Sequence, residues 1–234
     1  MSEAQTTTAF LDAGGVLVFP NWRLVSEALA RHGVLVDPAR LEAADPATKR
    51  TLDVGPTVNA TNDDQRGFLY FDLILKHAGV QPDAATDAAL VELREYHERY
   101  GVWDYVPDEV APALRRLRAA NLQLVVVSNS NGTIRAMLHR VGLLGYFDVV
   151  VDSGEEGIEK PDPRIFQRAL ARAGAAPTAT IHTGDLYEID IVGARSAGLR
   201  AVLIDAAGLY EGVDCPRVGS LNEFVDRLLA RSFD

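Results

Sequence analysis

From residue 122 onward, short runs of apolar residues alternate with segments whose apolar residues recur at helical spacing. The short runs predict buried strands, and the segments between them predict helices that end near glycines. Continuous apolar runs of this length are typical of strands covered on both faces, and therefore of a parallel sheet. The predicted strands span residues 122–127, 147–151, 179–183 and 201–204, and the predicted helices span 132–141, 163–173, 189–197 and 221–231.

An earlier apolar run, Thr8–Leu11, predicts a strand that we place at the centre of the sheet, and alternating strands and helices are typical of a three-layer α/β domain. Between residues 20 and 102 the pattern instead predicts helices at 22–31, 38–51, 64–77 and 86–100, with a loop at 55–64. Asn21 and Asp37 are suitable N-caps, and Pro38 suits a first helical position. We therefore expect a core domain at 1–19 and 103–234 and an inserted helical domain at 20–102.

Composition narrows the class of protein. A chain of 234 residues, 47% of them hydrophobic, can fold as one globular domain with an insertion. The formal net charge of -10 disfavours a nucleic-acid partner, because phosphates repel an acidic surface. No apolar run approaches the roughly 20 residues of a membrane span, and the first eight residues do not resemble an export signal. With Cys215 as the single cysteine, we expect a cytoplasmic monomer or homodimer with no membrane partner.

Residues that can carry chemistry follow several of the predicted strands. Asp12 follows the first strand, Ser128 and Asn129 follow the strand at 122–127, and Asp185 follows the strand at 179–183. Ligands of open α/β sheets bind beyond the carboxyl ends of the strands. We therefore expect these residues to meet at one edge of the sheet, although they are far apart in sequence.

Two further segments complete a recognisable pattern. Residues 157–163 read GIEKPDP, and Gly184-Asp185 is followed by Asp190. Together with Asp12 and Ser128, these segments resemble the four motifs of the haloacid dehalogenase (HAD) superfamily, and the helical insertion resembles the C1 cap of its subfamily I. The resemblance implies a hydrolase with a Rossmann-like three-layer parallel sheet and an inserted all-helical cap domain.

The resemblance also implies roles for individual residues. Asp12 would be the nucleophile, because a carboxylate can attack phosphorus and form an aspartyl-phosphate. Lys160 would be the cation that holds both the phosphate and Asp12. Asp190 would support Lys160 or a metal-bound water. The implied phosphate ligands are Ser128, Asn129, Ala13 and Gly14. The implied Mg²⁺ ligands are Asp12, Gly14 through its carbonyl, Asp185 and Asp190.

Gly14 departs from the family pattern, which usually has a second aspartate two residues after the nucleophile. In family phosphatases that aspartate protonates the leaving oxygen and then activates water, and such help is worth about 10²–10⁴-fold. Three alternatives follow from a glycine there. A phosphatase can be slow or use another acid, the reaction can have a leaving group that needs no proton, or the protein can bind phosphate without turnover.

Other features of the motifs bear on these alternatives. Dehalogenases of the superfamily usually carry a bulkier residue in place of Gly14, and the fourth motif here resembles that of phosphatases. We therefore predict Mg²⁺-dependent hydrolysis of a small phosphorylated metabolite through Asp12, with an unusual acid–base step. The alternatives are a 2-haloacid dehalogenase-type hydrolase and a non-catalytic phosphate- or metabolite-binding protein. The predicted partner is a small phosphorylated or otherwise anionic molecule.

Three aromatic or polar residues near these motifs have simpler interpretations. Trp22 could reach a substrate, but it is expected to pack within the helical insertion or at an interface. His182 is expected to face a polar neighbour from its strand. Tyr187 lies close enough in sequence to Asp185 to line the mouth of a site.

Overall fold

The computed structural model describes residues 5–233. The chain forms two compact units, which divide after Phe19 and after Tyr105. One unit is an α/β domain and the other, Pro20–Tyr105, is helical. Two short strands, β2 (Phe19–Pro20) and β3 (Trp103–Tyr105), pair with each other. None of the helices within residues 5–233 has the length and apolar character needed to cross a membrane.

The α/β unit contains a six-stranded sheet in the order β5-β4-β1-β6-β7-β8, with parallel pairing between neighbours. The predicted central strand is β1, which lies between β4 and β6 and is buried along its whole length. The last strand, β8, has two residues and was not predicted from the apolar pattern. The strands of the structure are β1 Thr8–Leu11, β2 Phe19–Pro20, β3 Trp103–Tyr105, β4 Gln123–Ser128, β5 Val149–Asp152, β6 Thr180–Gly184, β7 Arg200–Ile204 and β8 Arg217–Val218.

Helices cover the sheet on both faces. One buried cluster joins Phe10, Val125 and Val127 of the strands to Phe166 of α9 and Ala194 of α10. Helix α6 contacts β4, α7 contacts β5, and α11 contacts β7 and α6; the buried residues of these three helices do not belong to that cluster. The sheet therefore forms the middle of three layers. The helices of this unit are α6 Val110–Ala119, α7 Ile134–Arg140, α8 Ser153–Glu156, α9 Pro163–Ala173, α10 Val192–Ser196 and α11 Leu221–Leu229.

The helical unit contains α1 to α5. Helix α1 has the predicted bounds, and Asn21 caps it by accepting a hydrogen bond from the Leu24 N–H. Asp37 caps α2 in the same way. The prediction of a loop at 55–64 is wrong, because Gly55–Ala60 form a one-and-a-half-turn helix that buries Val58. A Gly-Pro pair reads as a turn in sequence, but proline is also favoured in a first helical turn. The helices are α1 Trp22–Arg31, α2 Pro38–Leu52, α3 Gly55–Ala60, α4 Asp63–His77 and α5 Ala84–Tyr100.

Aromatic packing holds the helical unit together. The Tyr70 ring lies 5.2 Å from both the Phe71 and the Trp103 rings, and Trp22 stacks on Tyr70 at 6.4 Å. Trp22 therefore packs within this unit, as expected. Aromatic rings at these distances add about 0.5–1.5 kcal/mol per pair beyond the area that they bury.

Candidate functional site

The chain turns sharply after β1, and this turn presents Asp12. The Asp12 N–H donates to the Thr183 carbonyl of β6 at 2.9 Å, which ties the end of β1 to its neighbour. The N–H groups of Leu17 and Val18 both donate to the Ala13 carbonyl at 2.9 Å. Gly15 adopts a φ of 75°, a conformation that favours glycine. Asp12 therefore sits at the start of a compact turn at the carboxyl end of a central strand.

Lys160 connects Asp12 to a second carboxylate. Its side chain is 2% exposed, and its Nζ donates to Asp12 Oδ1 and to Asp190 Oδ1, each at 2.7 Å. Lys160 precedes α9, whereas Asp190 lies in a turn of π-helix, Tyr187–Ile191, between β6 and α10. The predicted helix at 189–197 is thus split into this π-helical turn and α10. Three distant parts of the sequence meet at one ammonium group.

The Lys160 backbone is held as firmly as its side chain. The Lys160 N–H donates to Asn129 Oδ1 at 2.7 Å, and Asn129 Nδ2 donates to the Lys160 carbonyl at 3.0 Å. This reciprocal pair joins the loop after β4 to the loop before α9, in which the Lys160–Pro161 peptide is cis. The sequence indicated a role for Asn129 but not this use of its side chain.

Asp190 has hydrogen-bond partners on both carboxylate oxygens. Besides Lys160, Oδ1 contacts His182 Nε2 at 3.1 Å, and Oδ2 accepts the Leu186 N–H at 3.1 Å. Asp190 and His182 are both fully buried. A Cβ on Gly184 would lie 2.1 Å from Asp190 Cγ, so only glycine allows this approach. The polar neighbour that His182 was expected to face is therefore Asp190.

A third carboxylate, Asp185, completes the cluster. Asp12, Asp185 and Asp190 each offer an oxygen that lies within 4.8 Å of the others. Asp185 also packs against the turn after β1, since a Cβ on Gly15 would lie 2.0 Å from Asp185 Oδ2. With Lys160 protonated and all three carboxylates ionised, the four groups carry a net charge of -2 (three negative charges and one positive). An oxygen-only ligand set with this charge can hold a divalent cation.

The electrostatics of the cluster fit a bound cation. Burial raises the pKa of Asp12 to about 7; Lys160 opposes this shift, and the charges of Asp190 and Asp185 add to it. Burial also opposes ionisation of Asp190, but Lys160 and the hydrogen bond with His182 lower its pKa below the usual value. Negative charge therefore accumulates around Asp12, where a cation would relieve it.

Lys160 and His182 complete the charge state of the site. Burial alone would lower the pKa of Lys160, but the carboxylates of Asp12 and Asp190 raise it, so Lys160 is an ammonium ion. Burial lowers the pKa of His182, so its imidazole is neutral and can donate from Nε2 to Asp190.

The other residues with a predicted role in phosphate or metal binding lie around this cluster. Ser128 is the last residue of β4, it is 4% exposed, and its Oγ donates to the Asn129 carbonyl at 3.2 Å. Ala13 is buried and Gly14 is partly exposed in the turn after Asp12. The ends of β1 and β4 are neighbours in the sheet, with Leu11 opposite Val126. All the residues for which the sequence implied a catalytic, phosphate or metal role belong to the α/β unit.

Comparison with known proteins identifies relatives of this arrangement. Residues 6–198 match a family model described as haloacid dehalogenase-like hydrolase. The chain is 32% identical over 177 residues to the haloacid dehalogenase-like hydrolase domain-containing protein 3 of Homo sapiens, which covers 74% of this chain and 70% of the relative.

Two further relatives carry names that describe a reaction. The chain is 37% identical over 153 residues to a phosphoserine phosphatase of Thermus thermophilus, but this match spans only 64% of the chain and 59% of the phosphatase. Among solved structures, a 2-haloacid dehalogenase from Pseudomonas syringae superposes with a TM-score of 0.60 at 27% identity, covering 97% of this chain and 100% of that chain.

Proposed function

The chain belongs to the haloacid dehalogenase-like hydrolases, and on this premise we propose that it removes phosphate from a small phosphorylated molecule with Mg²⁺ as cofactor. The observation that carries the proposal is the buried bridge in which Lys160 Nζ lies 2.7 Å from oxygens of both Asp12 and Asp190. A carboxylate held in this way at a strand end is oriented for attack and lies beside a fixed positive charge.

Asp12 acts as the nucleophile. One of its oxygens forms a bond to phosphorus while the bond from phosphorus to the leaving oxygen breaks, which produces an aspartyl-phosphate. Water then attacks the phosphorus, releases inorganic phosphate and restores the Asp12 carboxylate. Lys160 restricts the rotation of the Asp12 carboxylate and offsets the negative charge that develops on the transferring oxygens.

The residues suited to Mg²⁺ are Asp12, Asp185 and the Gly14 carbonyl. Bound there, the ion would supply charge neutralisation for the approach of an anionic substrate to Asp12. Asp190 contributes differently, because both of its oxygens already have partners. It holds Lys160 in place and adds negative charge that strengthens cation binding.

The phosphate group is bound on the β4 side of Asp12. The Ser128 hydroxyl, the Asn129 N–H and the chain at Ala13 and Gly14 provide donors, and Lys160 provides the charge. Hydrogen bonds to an ionised phosphate are about twice as strong as bonds between neutral groups.

Gly14 supplies no proton to the leaving oxygen, so we expect the first step to depend strongly on the leaving group. Substrates whose leaving oxygen is a weak base need little protonation, whereas simple alkyl phosphates need an acid. The same glycine supplies no base for the second step, so the aspartyl-phosphate is expected to break down slowly.

A turnover screen tests the proposal. The purified protein is incubated with a panel of phosphate esters, with Mg²⁺ or with EDTA, and released phosphate is measured. We expect Mg²⁺-dependent release that the Asp12→Asn variant lacks. Binding of inorganic phosphate without release from any ester would favour the non-catalytic alternative.

The role of Gly14 has its own test. Gly14→Asp should increase hydrolysis, and the increase should be larger for alkyl phosphates than for p-nitrophenyl phosphate, whose leaving group needs little protonation. Circular dichroism and the unfolding midpoint establish that the variant is folded. An increase of the same size for both substrates would argue against a missing acid.

A second candidate, hydrolysis of a 2-haloacid, is favoured by the likeness to the Pseudomonas syringae dehalogenase over nearly the whole of both chains. A halide leaves without a proton, which suits Gly14. Halide release by the unmodified protein that persists in EDTA and disappears in Asp12→Asn would replace the phosphatase proposal with this one.

A further inference from the structure

The loop between β4 and α7 is held from one side by a buried carboxylate outside the charged cluster. Asp152 ends β5, lies opposite Ser128 in the pairing of β4 with β5, and is fully buried. Its Oδ1 accepts the N–H groups of Gly132 at 3.0 Å and Gly154 at 2.8 Å, and its Oδ2 accepts the Ile134 N–H at 3.1 Å. One side chain therefore anchors the far end of the loop through two backbone groups.

The next residue, Ser153, anchors the near end of the same loop. The Ser130 N–H donates to Ser153 Oγ at 2.9 Å, and Ser153 Oγ donates to the Ser130 carbonyl at 2.9 Å. A single hydroxyl thus engages both backbone groups of one loop residue. Ser130 directly follows Asn129, whose side chain holds the Lys160 backbone.

The loop and the first turn of α8 are also in close backbone contact. A Cβ on Gly154 would lie 2.6 Å from the Gly132 nitrogen and 2.9 Å from the Ser130 carbonyl oxygen. Glycine is thus required at position 154 for the loop to lie where Asp152 and Ser153 can reach it.

These contacts engage the N–H groups of residues 130, 132 and 134 and leave that of Asn129 out of the arrangement. The loop is consequently fixed on its β5 side by hydrogen bonds that do not compete with a ligand. A carboxylate is a strong acceptor for this purpose, since hydrogen bonds to an ionised group are shorter and stronger than neutral ones.

We propose that Asp152 and Ser153 are positioning residues for anion binding, which fix the loop so that the Ser128 hydroxyl and the Asn129 N–H keep the geometry that a phosphate group needs. This inference rests on the proposed function, because the anion is the phosphate of the substrate or product. Neither residue contacts Asp12, Lys160 or Asp185 in the hydrogen bonds and ion pairs of the described residues.

Two variants test the inference. Asp152→Asn keeps the shape of the side chain, but its NH₂ group must face a backbone N–H, so the loop loses an anchor. Ser153→Ala removes the hydroxyl without adding atoms. We expect the dissociation constant for inorganic phosphate, measured with Mg²⁺ present, to rise about 10-fold or more in Asp152→Asn and roughly 2–10-fold in Ser153→Ala. KM for an ester should rise more than kcat falls, because ground-state and transition-state binding are lost together.

A matched control separates positioning from general destabilisation. Asp205 follows β7 in the same unit, its side chain is 4% exposed, and it accepts the N–H groups of Leu209 at 2.8 Å and Tyr210 at 3.1 Å. Asp205→Asn therefore weakens a comparable clamp on a different loop. We expect it to lower the unfolding midpoint and to leave phosphate affinity within about twofold.

The outcomes are distinguishable. Phosphate affinity in folded Asp152→Asn and Ser153→Ala equal to that of the unmodified protein would overturn the positioning role alone. An equal loss in Asp205→Asn would also overturn it, because the effect would then be one of stability. Failure of the unmodified protein to bind phosphate at all would overturn the proposed function together with this inference.

Discussion

The α/β unit and the helical unit each bury a basic side chain, but the contacts of the two side chains differ in their distance along the sequence. In the α/β unit the ammonium of Lys160 pairs with Asp12, 148 residues away, and with Asp190, 30 residues away. In the helical unit the buried Arg66 donates to the Thr61 carbonyl, five residues away, and lies 3.6 Å from the Asp63 carboxylate, three residues away. Lys160 therefore joins segments that are distant in sequence, whereas these contacts of Arg66 are local.

This difference indicates that the two units are stabilised in different ways. Concentrating like charges in a buried site is unfavourable unless partners compensate it, and buried ion pairs contribute little net stability. In the α/β unit this unfavourable electrostatic free energy arises at the strand ends, where Asp12 and Asp185 lie. The helical unit instead packs aromatic rings such as Phe71 and Trp103. Substitutions in the two units should therefore separate activity from stability.

The largest expected effect is the loss of activity in Asp12→Asn. An amide is a poor nucleophile, so phosphate release should fall by at least about 10³-fold. The unfolding midpoint in EDTA should stay equal or rise, because the repulsion from Asp185 and Asp190 is relieved and Lys160 keeps Asp190 as a partner. Activity within tenfold of the unmodified protein would exclude Asp12 as the nucleophile.

The opposite result is expected from Phe71→Ala in the helical unit. Phe71 is 9% exposed and packs against Tyr70 and Trp103, so its truncation should lower the free energy of unfolding by about 3 kcal/mol. The affinity for Mg²⁺, measured by calorimetry below the unfolding transition, should not change, because the candidate ligands belong to the other unit. A loss of Mg²⁺ affinity in the folded variant would contradict this separation.

Two glycines in left-handed conformations make the comparison sharper. Gly15 has a φ of 75° and an added Cβ would lie 2.0 Å from Asp185 Oδ2, whereas Gly33 has a φ of 83° and no heavy atom within 4 Å of an added Cβ. Gly15→Ala should displace Asp185 and weaken Mg²⁺ binding about 10-fold or more. Gly33→Ala should cost only the backbone strain, about 1–2 kcal/mol of unfolding free energy.

Gly33→Ala is the control for Gly15→Ala. Both carry the same chemical change and a similar strain, so a loss of Mg²⁺ affinity confined to Gly15→Ala isolates the contact with Asp185. Equal Mg²⁺ affinity in the two folded variants would argue that Asp185 is not a ligand.

The family and the order of the main elements were predictable from sequence, and the matched family confirms the HAD hydrolase prediction. Helix α9, Pro163–Ala173, has the predicted bounds because Asp162, Pro163 and Gly174 mark its ends. Strands of two or three residues, such as β8, were not predicted, because so short a pattern has no detectable period. The short helix α3 was predicted as a loop because its Gly-Pro start resembles a turn.

For the site, the sequence predicted which residues would meet but not the bonds that hold them in place. The strand-end rule indicated that Asp12 and Asp185 would meet, while the place of Lys160 came from the family resemblance rather than from any spacing. The contacts of Asn129 with Lys160 and of Asp152 with the loop after β4 are bonds between side chains and backbone of separate segments. Such bonds follow no periodic pattern, so only the structure reveals them. The shared Mg²⁺ site itself stays a prediction.

The last expected effect concerns the pH dependence of stability and again separates the charged cluster from the rest of the molecule. Burial raises the pKa of Asp12 from 3.8 to about 7, so the folded protein retains a proton that the unfolded chain has lost. This group therefore contributes stability that is full below about pH 4 and is lost as the pH rises through about 7. Between pH 4 and 7 the unfolding midpoint of the metal-free protein should therefore fall relative to that of Asp12→Asn, which lacks this proton.

The comparison with Asp12→Asn is essential, because other groups titrate nearby. Burial lowers the pKa of His182, so that residue reduces stability as the pH falls below its unfolded value, which is the opposite direction. The lowered pKa of Asp190 matters only below the range measured, where its contribution is lost as the pH falls. Both contributions are shared by the two proteins and cancel in the difference. Saturating Mg²⁺ favours the ionised form of Asp12 and should remove the decline, whereas a decline of equal size with Mg²⁺ and with EDTA would mean that no cation binds beside Asp12.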